Sequence, residues 1–178
     1  GGNSNTAVGY QALEDNTASE NTAVGKAALM NNTSGTGNTA LGTFVLDAAT
    51  TADYNTGIGY KALTDTSTGY KNTAVGGLSL DANTTGNRNT AIGYNSLTAS
   101  TTGSNSVAVG HETLSSCTTG GDNIAIGSYT GDAITTGIRN IAIGSGALDQ
   151  VTTQHYNVGI GFRSLYKTTG VDGNVGVG

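Results

Sequence analysis

The chain has 178 residues, a formal net charge of −5, 29 glycines, one cysteine and neither proline nor tryptophan. Apolar residues make up 35%, too few for an ordinary globular core, yet they recur so regularly and the net charge is so small that a disordered chain is excluded as well. The mild acidity leaves no basic face for nucleic acid or an anionic membrane, the lone cysteine excludes a disulfide scaffold or multi-cysteine zinc site within one chain, and no apolar run is long enough to span a bilayer.

In chain order the same element returns. Asn5-Thr6-Ala7-Val8-Gly9 is followed by Asn21-Thr22-Ala23-Val24-Gly25 and Asn38-Thr39-Ala40-Leu41-Gly42. Further copies close on Gly59, Gly76, Gly93, Gly110, Gly127, Gly144, Gly161 and Gly178. The first spacing is 16 residues and every later one is 17. Such a period marks a stacked repeat. With the glycine as position zero, −4 is Asn except at Ser106, and −3 is Thr up to Thr90 and then Val107, Ile124, Ile141, Val158 and Val175. Position +4 is Leu except at Gly131.

The run from −3 to −1 predicts a short strand bounded by Asn and Gly. The apolar positions around +4 predict a second short strand, and Thr84-Thr85-Gly86, Thr101-Thr102-Gly103 and Thr118-Thr119-Gly120 predict the turn back. Seventeen residues are too few for a helix–turn–helix unit, and no helical period is present. The expected fold is all-β: a parallel β-solenoid, or β-roll, with two short strands per coil. It would form one segment over residues 1–178, with ten to eleven coils about 4.8 Å apart, and is expected to be a piece of a longer fibrous protein.

Alternation along a strand puts −3 and −1 on one side and −4 and −2 on the other. The expected interior is the −1 column with the +4 column, joined by −3. Its residues are Val8, Leu13, Val24, Leu29, Leu41, Leu46, Ile58, Leu63, Val75, Leu80, Ile92, Leu97, Val109, Leu114, Ile126, Ile143, Leu148, Ile160 and Leu165. Stacked Asn side chains at −4 are expected to form an amide ladder.

The −2 column holds only Ala7, Ala23, Ala40, Gly57, Ala74, Ala91, Ala108, Ala125, Ala142, Gly159 and Gly176. A face open to water has no reason to exclude larger polar residues, so this column is expected to be a close-packing face. Burial of about 1.5–3 kcal/mol per aliphatic side chain must also offset an ordering cost of about 1–2 kcal/mol per residue, which calls for burial beyond one coil. Two arrangements meet that need. Three rods can pack around an axis through the small-residue face. Alternatively, Ala and Gly face inward in a very flat roll whose Val/Ile side a partner chain covers.

The runs Asn105-Ser106-Val107-Ala108-Val109-Gly110 and Asn123-Ile124-Ala125-Ile126-Gly127 resemble head repeats of trimeric autotransporter adhesins. The unit Asn89-Thr90-Ala91-Ile92-Gly93-Tyr94-Asn95-Ser96-Leu97, followed by Thr101-Thr102-Gly103, is similar to repeats of phage tail-fibre proteins. The resemblance implies a homotrimer of β-rolls, extracellular, on a virion or bacterial surface. The 17-residue unit and its Leu column depart from the adhesin head pattern.

Few residues suggest chemistry. Glu14, Asp47, Asp81, Asp132 and Asp149 share position +5, and Asp132 with Asp149 forms an adjacent pair that could attract Ca²⁺; hydrated corner acids are the expected reading. Glu14, Asp15 and Glu20 are the nearest approach to a glycosidase-like carboxylate cluster. His111 and His155 lie more than two coils apart, so one chain cannot pair them on a metal. Cys117 reads as a small inert residue. Tyr10, Tyr60, Tyr94 and Phe162 share +1, with Tyr54, Tyr70 and Tyr156 just before the Asn; exposed rings on a polar rod suit glycan contact. Glycine-rich segments lack the Lys-Ser/Thr of a phosphate loop.

The leading expectation is a structural and adhesive fibre segment, a tail fibre or surface adhesin, attaching to a host or cell surface. No enzymatic role, metal, cofactor, nucleic acid or membrane insertion is expected. An ice-binding solenoid, favoured by regular Thr columns, is the alternative. A β-helical polysaccharide-degrading enzyme comes third.

Overall fold

The computed structural model describes residues 2–168 and 170–178. Each coil contributes one three-residue strand: β1 Thr6–Val8, β2 Thr22–Val24, β3 Thr39–Leu41, β4 Thr56–Ile58, β5 Thr73–Val75, β6 Thr90–Ile92, β7 Val107–Val109, β8 Ile124–Ile126, β9 Ile141–Ile143, β10 Val158–Ile160 and β11 Val175–Val177. They form one parallel sheet of 11 strands in chain order. Register is column on column, as in Thr22–Thr39, Ala23–Ala40 and Val24–Leu41. The fold is thus a parallel β-solenoid with a coil of about 17 residues.

No second strand forms at +4. The Leu residues there have φ of 51° to 57°, and Gly131, their one replacement, has 59°. Positions +2 and −5 are also left-handed, as at Phe44 (57°), Lys61 (57°), Tyr54 (55°) and Arg88 (57°). Left-handed backbone costs an L-residue about 1–2 kcal/mol. Here each kink turns its amide along the rod: Leu29 N–H donates to Val45 O at 3.0 Å, Phe44 N–H to Lys26 O at 2.9 Å, and Tyr54 N–H to Thr36 O at 2.9 Å. Hydrogen bonding from coil to coil therefore continues around the corners without a strand. The glycine at zero ends the strand for a different reason. At Gly25, φ is 138° and a Cβ would collide with the carbonyl oxygen of Gly42, a conformation and an approach open only to glycine.

The −4 asparagines stand inside and bond in two directions. In coil after coil the Asn N–H donates to Oδ1 of the preceding Asn, as in Asn38 to Asn21, Asn55 to Asn38 and Asn72 to Asn55, each at 2.9 Å. Nδ2 also donates across the coil, from Asn55 to Gly69 O at 2.9 Å and from Asn72 to Gly86 O at 2.8 Å. With the asparagines inside, −2 must be inside too. Ala23, Ala40, Ala74, Ala91, Ala108, Ala125 and Ala142 are buried in the core with Leu29, Leu46, Leu63, Leu80, Leu97, Leu114 and Leu148. The two columns touch: a Cβ on Gly159 would meet Leu148 Cγ at 3.2 Å, and one on Gly57 would meet Leu46 Cδ1 at 3.7 Å. Ala7 and Gly176, in the terminal coils, are more open, and Leu13 and Leu165 are partly buried.

This decides between two arrangements and corrects one expectation. Of the two arrangements open to the small-residue column, Ala and Gly face inward and pack against the chain's own leucines, so rods cannot meet on it. The −1 column, Val8, Val24, Leu41, Ile58, Val75, Ile92, Val109, Ile126, Ile143 and Ile160, is not interior. Val8 is 58% exposed, Leu41 47%, Ile126 41% and Ile160 38%. The −3 column faces the same way. The room assigned to these residues is filled instead by +3 (Ala28, Val45, Ser79, Ser96) and by +7, where Asn32, Ala49, Thr66, Asn83, Ser100, Cys117, Ile134 and Val151 are all buried.

Two substitutions test this packing. Ser106 keeps the axial bond, accepting from Asn123 N–H at 3.3 Å, but has no amide to reach Gly120 O. Ser106→Asn is therefore expected to stabilise the fold by about 0.5–1.5 kcal/mol, read as a higher melting temperature; an unchanged or lower one refutes the ladder's role. Ala91→Leu should overpack the core and cost about 1–3 kcal/mol, whereas exposed Thr85→Leu should stay within about 0.5 kcal/mol. Equal shifts in the two melts would sink the packing argument.

Candidate functional site

The outward sheet face is the largest regular feature of the rod. From β1 to β6 it alternates Thr at −3 with an aliphatic residue at −1. From β7 onward both columns are aliphatic: Val107, Val109, Ile124, Ile126, Ile141, Ile143, Val158, Ile160, Val175 and Val177. Eleven strands at about 4.8 Å, three residues wide at about 3.3 Å each, span roughly 500 Å². The all-aliphatic part is five of those strands, β7 to β11, or roughly 240 Å², a contiguous apolar strip uninterrupted by charge.

Corners before and after several of the strands carry rings. Tyr10 (70% exposed), Tyr60, Tyr94 and Phe162 at +1 all reach solvent. Tyr60 packs edge-on to Phe44 at 6.5 Å. His111 is held between Tyr94, stacked at 5.7 Å, and Tyr129, edge-on at 5.2 Å. At the other corner Arg88 lies over Tyr70 and Arg139 over Tyr156, and Arg139 also donates to Tyr156 Oη at 3.0 Å. Tyr60, Tyr70, Tyr94 and Tyr156 are thus braced by neighbours in adjacent coils, and the rings are not collected into one platform.

Of the acids, Glu14, Asp15 and Glu20 are exposed. Asp81 accepts from Thr98 Oγ1 at 2.6 Å. Burial, then the charge of Asp65, pushes the Asp47 carboxyl above its usual range. Asp132 is pushed up to about 7, first by burial and then by its hydrogen bond to Asp149 and that residue's charge. Its Oδ1 is buried without a donor, so the two carboxyls bond only when one carries a proton. Among the described residues no group of three or more His, Cys, Asp or Glu is placed to hold a metal. His155 Nδ1 accepts the Ile138 amide at 3.0 Å, a structural role. Burial pushes the Cys117 thiol up to about 11, where it is protonated and a poor nucleophile.

A cavity of about 200 Å³ is lined by Tyr129, Ser145, Gly146, Asp149, Phe162, Arg163 and Tyr166. Of these only Phe162 and Asp149 stand out in the sequence. The overlooked signal was Gly146 in the +2 column, between Tyr129 and Arg163: a missing side chain between two large ones.

Comparison with family models, curated proteins and solved structures returns no match. No helix among the described residues is long and apolar enough to cross a membrane.

The Asp132–Asp149 pair yields a pH prediction. The folded state holds the Asp132 proton up to about 7, while an ordinary carboxyl loses it near 3.8. The folded state thus binds more protons between those values. The pair's contribution is full below about 3.8 and is lost as pH rises through about 7. Relative to wild type, Asp132→Asn should melt higher at mildly alkaline pH, with the gap closing on acidification. A gap independent of pH would contradict the shared proton.

Proposed function

We propose that this chain is a rigid segment of an extracellular attachment fibre, a tail fibre or surface adhesin, and that its copies assemble as a parallel homotrimer through the outward sheet face. The observation that carries this reading is the unbroken aliphatic strip from Val107 to Val177. Water-facing strands ordinarily place polar residues on their outer side; a rod that places β-branched aliphatics there calls for a cover. A second copy offers the same spacing, coil for coil, so registered packing follows from identity of period. The number three comes from the resemblance to trimeric fibres. The rings Tyr10, Tyr60, Tyr94 and Phe162, on the turns after β1, β4, β6 and β10, lie off the outward sheet face and would stay available to a surface glycan.

A second reading is favoured by one specific observation: the −3 threonines of β1 to β6 point outward, as an ice-binding array requires. Thermal hysteresis in the wild type would support it.

Sedimentation equilibrium tests the assembly. The wild type is expected to sediment as a trimer, and Ile126→Lys with Ile143→Lys, both outward, as a folded monomer. A monomeric wild type at high micromolar concentration, or an unchanged oligomer in the variant, would overturn the proposal.

A further inference from the structure

We infer that the notch at Gly146 is a binding subsite for a single neutral saccharide ring. It arises where two columns thin out together. At +2 the sequence runs Tyr129, Gly146, Arg163, and at +1 it runs Ser128, Ser145, Phe162. Small residues in one coil thus leave a gap between aromatic coils on either side. Its volume, about 200 Å³, falls below the roughly 300–1,000 Å³ of drug-sized ligand sites and suits one ring.

The walls state the chemistry. The Arg163 guanidinium is held over two rings, 5.3 Å from the Phe162 centroid and 5.1 Å from that of Tyr166. These cation–π contacts restrain the guanidinium and leave its N–H donors available. Asp149 lines the same notch, yet the two form no ion pair within 4.0 Å. One wall therefore offers only donors and the other, when ionised, only acceptors. A vicinal diol satisfies both, since each hydroxyl donates and accepts, while the C–H face of the ring packs on Phe162 or Tyr129. The inference deepens the attachment reading and rests on it for the ligand's biological setting; the geometry of the notch is independent of assembly.

Free glucose, galactose, mannose and N-acetylglucosamine, added separately to the 178-residue chain, are the probes, with saturation transfer and ring-proton shifts of Tyr129, Phe162 and Tyr166 read by NMR. At least one sugar should bind and shift those rings. Gly146→Gln should weaken that binding about tenfold or more at an unchanged melting temperature, because Gln11 already occupies this column. Should that variant melt early, Phe162→Ala, at a side chain 70% exposed, gives the same readout without touching the core. Absence of binding by all four sugars, or wild-type affinity after the notch is filled, overturns the subsite. A trimer that binds no sugar retires the notch alone, while a sugar-binding monomer retires the assembly alone.

Discussion

Everything in this solenoid hangs on the asparagine at −4. Its Oδ1 takes the amide of the Asn in the next coil, and its Nδ2 reaches across the coil to a carbonyl 14 residues on. One side chain thus holds the rise between coils and the closure of each coil. Both bonds are buried, where leaving a donor or acceptor unpaired costs about 1–3 kcal/mol. A coil one residue longer or shorter would misplace both partners unless its neighbour adjusted. That shared constraint accounts for the strict 17-residue spacing, and the one 16-residue step lies in the first coil.

The ladder also decides the faces. A strand of three residues cannot bury both sides, and an amide ladder needs the dry side. Once Asn is inside, Ala or Gly at −2 must be inside, and −3 and −1 must be out. The leucine at +4 then reaches from the opposite wall and leaves room for nothing larger than Ala. The outward position of Val and Ile is a consequence of where the hydrogen bonds had to go.

This explains what could and could not be read beforehand. The period, the parallel stacking and the strand at −3 to −1 were legible from the repeated pentapeptide. The orientation was only half legible: aliphatic residues at −1 were assigned to the core by type, while the inward-facing Ala and Gly, which the ladder at −4 implies, stood as one of two open arrangements. The second strand was misread for a related reason. Leucine at +4 looked like strand apolarity, yet the +4, +2 and −5 columns contain no Val, Ile or Thr at all. β-Branched residues are rarely tolerated at positive φ, so their absence from three columns was the mark of left-handed turns. The notch was hidden because it is defined by a missing side chain, visible only when neighbouring coils are compared column by column.

The outward face is not uniform, and its two halves ask different things of whatever covers them. Along β1 to β6 each coil presents a hydroxyl beside an aliphatic group; from β7 onward the hydroxyl is gone. Thr and Val have similar shape, so the surface remains flat across the change while its polarity falls. Under a partner chain each Thr hydroxyl must find an acceptor or a water, or bear a desolvation cost of about 1–3 kcal/mol. Val and Ile bear no such cost. Contact should therefore be tightest from Val107 onward and wetter before it. A homotypic assembly would be held at its C-terminal half and looser at the other, a polarity carried by the sequence of one column on an otherwise repeating backbone.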